Sequence, residues 1–197
     1  MPIEVLMDRQ VRVEYSQLYV VSDPDDDRPD LQETYRGQTN GLCGAADLGN
    51  MTLTTGIEMG PVSLRAELHG SEPPVEDSWE DVVEVSFTAT TDQVMVQEWD
   101  GDTYPLNLPS GQYRVRYCVR GMDQAHRVGI SDEPVDFYLL QFWPGPPAAD
   151  RIIRQTSKEA AHAHDVVQRR NASASGSRSR RSATRKVNEV RRMPGTP

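Results

Sequence analysis

The densest run of chemistry-bearing side chains is Asp23-Pro24-Asp25-Asp26-Asp27-Arg28-Pro29-Asp30, five carboxylates in eight residues. Oxygen clusters of this kind bind calcium, and Asp23, Asp25 and Asp27 fall at positions 1, 3 and 5 of an EF-hand loop. The match ends there. Position 6 is Arg28 where the sharp turn needs glycine, and position 12 is Thr34 in place of a bidentate glutamate. Two prolines and the lack of flanking helical periodicity remove the EF-hand reading. Three uses stay open: a solvated acidic loop, a looser calcium site between sandwich loops, and a charge lure. In the last, clustered carboxylates imitate a phosphate backbone for a basic partner. Glu76, Asp77, Glu80 and Asp81 form a second acidic group of the same kind.

Other candidate groups point to structure more than to reaction chemistry. Arg114, Arg116 and Arg120 share one face of a strand, and Glu58, Glu67 and Glu84 lie on polar faces of other runs. Cross-strand ion pairs are the expected use of these arginines. His69 and His126 stand beside glycine or in a turn and are expected at the surface. His162 and His164, two apart on a helix, point away from each other, unlike the i, i+4 pair of a zinc helix. Cys43 and Cys118 lie in no CxxC pair and read as buried, inert thiols. Trp79, Trp99 and Trp143 are expected to close the ends of the core. HExxH, GxSxG, GxxxxGK[ST] and GxGxxG are all missing from the sequence. The expectation is a protein that is not an enzyme and carries no metal or cofactor.

The elements that must hold these groups alternate with period two. Val62, Leu64, Ala66 and Leu68 alternate with Ser63, Arg65 and Glu67; Val83, Val85 and Phe87 with Glu84, Ser86 and Thr88. Tyr113, Val115, Tyr117 and Val119 alternate with Arg114, Arg116, Cys118 and Arg120. A further run covers 11–21, and weaker ones 51–55, 93–99, 103–108 and 136–143. Asn40-Gly41, Asp100-Gly101 and Pro109-Ser110-Gly111 mark turns between them. About eight short strands without helical crossovers predict an all-β fold, an antiparallel β-sandwich. Its expected span is residues 1–147. An extended segment and short helix over 148–170 follow, opened by a capping box at Thr156-Ser157-Lys158-Glu159 with a thin apolar face of Ala160, Ala163 and Val167. Residues 171–197, rich in Ser and Arg, cannot bury enough apolar surface to offset their ordering entropy and are expected to be disordered.

Charge divides the chain at the same place. Residues 1–150 hold 27 Asp and Glu against 9 Arg, a net charge of −18, whereas residues 151–197 carry +9. An acidic body attracts basic proteins and repels nucleic acid, whose binding rests on neutralising phosphates. The basic tail is expected to contact its own body or an anionic partner. No apolar run approaches the roughly 20 residues of a membrane helix. Met1–Arg9 lacks the basic, apolar and cleavage regions of a secretory signal, which predicts a cytoplasmic location.

Four segments carry a resemblance: Gly37-Gln38-Thr39-Asn40-Gly41-Leu42, Trp79-Glu80-Asp81-Val82-Val83-Glu84-Val85-Ser86-Phe87, Leu108-Pro109-Ser110-Gly111-Gln112-Tyr113-Arg114-Val115-Arg116-Tyr117 and Tyr138-Leu139-Leu140-Gln141-Phe142-Trp143-Pro144. They resemble a group of acidic all-β actinobacterial proteins over about residues 11–160. More remotely, the plan is similar to the competence protein J family of nuclease inhibitors and to related immunity-type sandwiches. It shares with them an early Tyr15-Ser16-Gln17 strand, a Gly/Gln/Asn turn and a late Leu-Pro-x-Gly-x-Tyr strand. The basic tail departs from that pattern. The resemblance implies a non-enzymatic binder that inhibits a basic protein such as a nuclease. The protein-binding residues expected on that reading are Asp23, Asp25, Asp26, Asp27 and Asp30, with Glu76, Asp77, Glu80 and Asp81. The alternatives are a C2-like calcium or carbohydrate adaptor and a regulatory protein acting through its Ser/Arg tail.

Overall fold

Alternating side chains favour extended backbone because each strand can then bury one face, and the period-two runs form strands throughout the body. The computed structural model describes residues 3–23, 30–31 and 33–190, with side chains through residue 174. The first half of the body contains β1 (Glu4–Glu14), β2 (Gln17–Val21), β3 (Cys43–Gly44), β4 (Asn50–Thr54) and β5 (Met59–Leu68). Next come β6 (Asp81–Ala89), β7 (Met95–Gln97), β8 (Thr103–Pro105) and β9 (Gly111–Arg120). Helix α1 (Met122–Val128), β10 (Phe137–Pro144), β11 (Arg151–Arg154) and α2 (Lys158–Val190) complete the order.

The strands join in one curled sheet, β11-β6-β9-β10-β5-β1-β2-β4-β3, with β7 and β8 attached beside β2. The all-β expectation holds, and the sandwich takes a particular form: a single sheet bent into a half-barrel, so that β3 and β4 face β6 across the core. One pairing departs from antiparallel order. Strand β10 runs parallel to β5, from Phe137 opposite Ser63 to Phe142 opposite Leu68. Helix α1 and the loop after it carry the chain back from β9 to make this possible.

The inner face collects the apolar half of each alternation, including Leu64, Val85, Val115, Tyr117, Tyr138 and Phe142, all in one cluster. Tyr117 and Tyr138 stack at 5.4 Å between ring centroids. Beneath them Asp136 accepts from the backbone N–H groups of Gly56 and Ile57, both at 3.0 Å, and from the Tyr138 hydroxyl. Burial raises the Asp136 carboxyl above its usual range, and these donors only partly oppose that shift. Cys43 and Cys118 are both buried and free, and burial pushes both thiols up.

Several local features differ from the sequence reading. The run over 11–21 breaks into a hairpin at Tyr15 and Ser16, whose φ angles of 55° and 57° belong to a turn usually filled by Asn-Gly. Helix α2 is capped one residue later than expected: Ser157 Oγ, not Thr156, accepts from Ala160 N–H at 3.1 Å. Helix α2 is described to Val190. Residues 191–197 lie outside the described part of the chain. Among the described residues, no helix is long and apolar enough to cross a membrane.

Candidate functional site: the outer face of the sheet and its acidic rim

The outer face of the sheet carries a polar row set by strand register. Val5 on β1 lies opposite Glu67 on β5, Glu67 opposite Gln141 on β10, and Gln141 opposite Arg116 on β9. Arg116 in turn lies opposite Glu84 on β6, and Glu84 opposite Arg151 on β11. One line of side chains thus crosses six strands, and its four charged members, Glu67, Arg116, Glu84 and Arg151, alternate in sign. The expected arginine pairing is realised here. Arg116 donates through Nε and Nη2 to Glu84 Oε1 at 3.0 and 2.8 Å, with both residues fully buried. Arg151 closes on the other Glu84 oxygen, and Arg114 lies 3.7 Å from it. Burial alone would raise the Glu84 carboxyl, but hydrogen bonds from Arg151 and Arg116 outweigh it and hold the group below the usual range. Arg120 takes a different partner, lying over the rings of Phe137 and Trp79 at 4.9 and 5.6 Å.

The row is buried because chain from outside the sheet covers it. The segment 70–76 crosses this face, and Pro73 O accepts from Arg116 Nη1 at 2.6 Å. Between this cover and the strands lies a cleft of about 560 Å³, lined by Ile3, Arg65, Glu67, His69, Gln141 and Trp79 among others. Here the structure corrects the placement of His69. Expected at the surface, it is 8% exposed and donates from Nε2 to Glu67 Oε2 at 3.0 Å. Gln141 donates to the same oxygen at 3.4 Å, and Arg65 Nε donates to Glu67 Oε1 at 2.7 Å. Burial pushes the Glu67 carboxyl up, but these three donors prevail and lower it. Sequence reasoning missed this cluster because the histidine and glutamate carry no motif. Their i, i+2 spacing at the end of a strand, where both side chains fall on one face, is the only signal for it.

The second acidic group divides once folded. Glu76 lines the cleft, and the exposed Asp77 pairs with Arg154 at 2.8 Å. Glu80 accepts from Gly121 N–H at 2.9 Å. Asp81 is fully buried, and its Oδ1 accepts from Thr156 N–H at 2.7 Å and Ser157 N–H at 3.0 Å. Asp81 therefore anchors the approach to α2. In the first group, Asp23 ends the segment after β2 and Asp30 opens the next turn, accepting from Glu33 and Thr34 N–H groups through its carbonyl. Asp25, Asp26 and Asp27 lie outside the described residues. Among the described residues, no group of three or more His, Cys, Asp or Glu side chains could hold a metal ion.

The Gly37–Leu42 segment is fixed from two sides. Asp150 Oδ2 accepts from the N–H groups of Thr39 and Asn40, at 2.8 and 2.7 Å, and from both side chains. Helix α2 then packs on it: His164 Nδ1 accepts from Gly41 N–H at 2.9 Å. Asn171 donates to the carbonyls of Tyr35 and Gln38. A Cβ at Gly41 would sit 2.2 Å from Ala163 O, so only glycine permits this approach. The histidine pair does diverge as its spacing requires, with His162 exposed and His164 buried.

No protein-family model and no curated protein matches the chain. Among solved structures, it is similar to ComJ, the inhibitor of the DNA degrading activity of NucA, from Bacillus subtilis. That similarity has a TM-score of 0.53 at 18% identity, covering 74% of this chain and 100% of that one. The product of crocagin biosynthetic gene J is also similar, with a TM-score of 0.50 at 15% identity and the same coverages. Both similarities are of fold.

Proposed function

We propose that this protein is a non-enzymatic, inhibitor-like binder of a basic protein, with a nuclease as the partner class. The observation that carries the reading is a body with a net charge of −18 on a fold shared with a nuclease inhibitor. A field of that sign speeds encounter with a cationic partner and competes with DNA for the same positive surface. The contact residues in this reading are the Asp23–Asp30 carboxylates and the exposed part of the second group, Glu76 and Asp77, with Glu80 beside them. Asp81 contributes by holding the α2 junction in place.

The test is capture from the native host with the full chain as bait, elution on a salt gradient, and a DNA-degradation assay on the eluate. The expected result is a basic protein released by salt, whose DNA-degrading activity falls when the full chain is added back. A D25N/D26N/D27N/E76Q/D77N variant should lose most of the capture and flatten its salt dependence. Capture and inhibition unchanged in that variant would overturn the acidic-surface reading.

A further inference from the structure

The cleft beneath residues 70–76 has a chemistry of its own. Its floor is built from Glu67, His69 and Gln141, each less than a tenth exposed. His69 and Gln141 each direct a donor at Glu67, and His69 does so through Nε2–H at 3.0 Å. The Gln141 amide NH2 also faces Glu67, which leaves its carbonyl oxygen as an acceptor. The cover adds two more acceptors, the carboxylates of Glu72 and Glu76. Glu72 is engaged by Arg116 at 3.2 Å and Arg151 at 3.8 Å, while Glu76 makes no ion pair among the described residues. Against three carboxylates the lining holds one guanidinium, that of Arg65, already bound by Asp8 and Glu67. Ile3, Pro74, Trp79 and Leu139 supply apolar walls.

A site that offers acceptors at its base, net negative charge at its rim and apolar flanks between them suits a long cationic side chain. The methylene stem lies on the walls and the charged head reaches the acceptors. A volume of about 560 Å³ falls within the roughly 300–1,000 Å³ range of small-ligand sites. We infer that this cleft is a binding site for an arginine or lysine side chain presented by another protein. The inference rests on the proposed function only for the identity of the protein that supplies it.

The experiment titrates the full chain with N-acetyl-arginine amide, N-acetyl-lysine amide and the uncharged isostere N-acetyl-citrulline amide. The readout is the NMR resonances of the His69 ring and the Gln141 side-chain amide. The expected result is a saturable shift of both by at least one charged amide, with citrulline at least tenfold weaker. Glu76→Gln, a change on the exposed cover, should weaken the charged amide at least threefold, whereas Asp100→Asn, outside the cleft, should leave it unchanged. Gln141→Leu should abolish the response if circular dichroism shows the fold intact; Glu76→Gln decides the matter if it does not. Equal binding of citrulline overturns the inference, as do charged amides that leave both groups unmoved. A basic partner that binds the full chain but is not displaced by saturating amide overturns the cleft's role and leaves the proposed function standing. Amide bound in the cleft with no basic protein captured supports the cleft and overturns the proposed function.

Discussion

Removing the Arg116 guanidinium would leave the Glu84 carboxylate buried with fewer cations around it. Loss of one partner from a buried pair costs about 3–5 kcal/mol, because the remaining charge has lost its compensation. Arg116→Ala should fall toward the lower end of that range, since Arg151 also bonds Glu84 and Arg114 stands near it. R116M/E84M should recover part of the loss, and denaturant unfolding of both variants checks this. His164 makes a prediction of a different kind. Burial lowers its pKa, while the more distant charges of Asp81 and Asp150 oppose that shift. The unfolded ring takes up a proton near pH 6.5, whereas the folded ring resists it to keep Nδ1 free for Gly41 N–H. Its stability contribution is therefore complete above about pH 6.5 and lost as the pH falls below that value. A thermal melt series between pH 8 and 5 should show Tm falling on the acid side, with a smaller fall in His164→Gln. The lowered carboxyls of Glu67, Glu84 and Asp150 act in a separate window, losing their contribution only below their ordinary range.

At the level of elements, Asp81 joins the first residue of β6 to the approach to α2. Asp81→Ala removes two charge-assisted hydrogen bonds and should cost about 2–4 kcal/mol. Asp77→Asn, on an exposed ion pair of the same acidic group, should change stability by less than about 1 kcal/mol. Chemical denaturation of the pair separates an anchor from a surface charge. In the sequence the two residues look alike, because an acidic run says nothing about which member begins a strand beside a helix terminus. Alternation made the faces of β5, β6 and β9 legible, and with them the Arg116–Glu84 pairing. It could not reveal that the polar face is also covered, since the 70–76 segment crosses it from outside the sheet. His69 was misplaced for that reason. Nor does period two carry strand order: the parallel seat of β10 beside β5 depends on the path through α1, and β3 and β11 are too short to show a period. The Tyr15–Ser16 turn reads as strand in the sequence because neither residue is a habitual occupant of positive φ.

For the whole molecule, the charge division does not coincide with the structural one. The net-positive segment begins with β11, and Ala160, His164 and Val167 of α2 are buried against the body. A chain ending at Ala174 retains these contacts and the Asn171 bonds and should melt as the full protein does. One ending at Thr156 exposes the core and should lose cooperative unfolding by calorimetry. The place of β10 has a further consequence, for synthesis. On the ribosome, β1, β2, β4 and β5 emerge first, and β6 can pair with β9 once the latter appears. Until Phe137–Pro144 is translated, β5 and β9 each hold an open edge toward an empty seat, and open edges recruit strands from other chains. Between the emergence of β9 and that of β10 the nascent protein thus consists of two separate pieces, and its exposure to aggregation through these edges closes only when β10 leaves the exit tunnel.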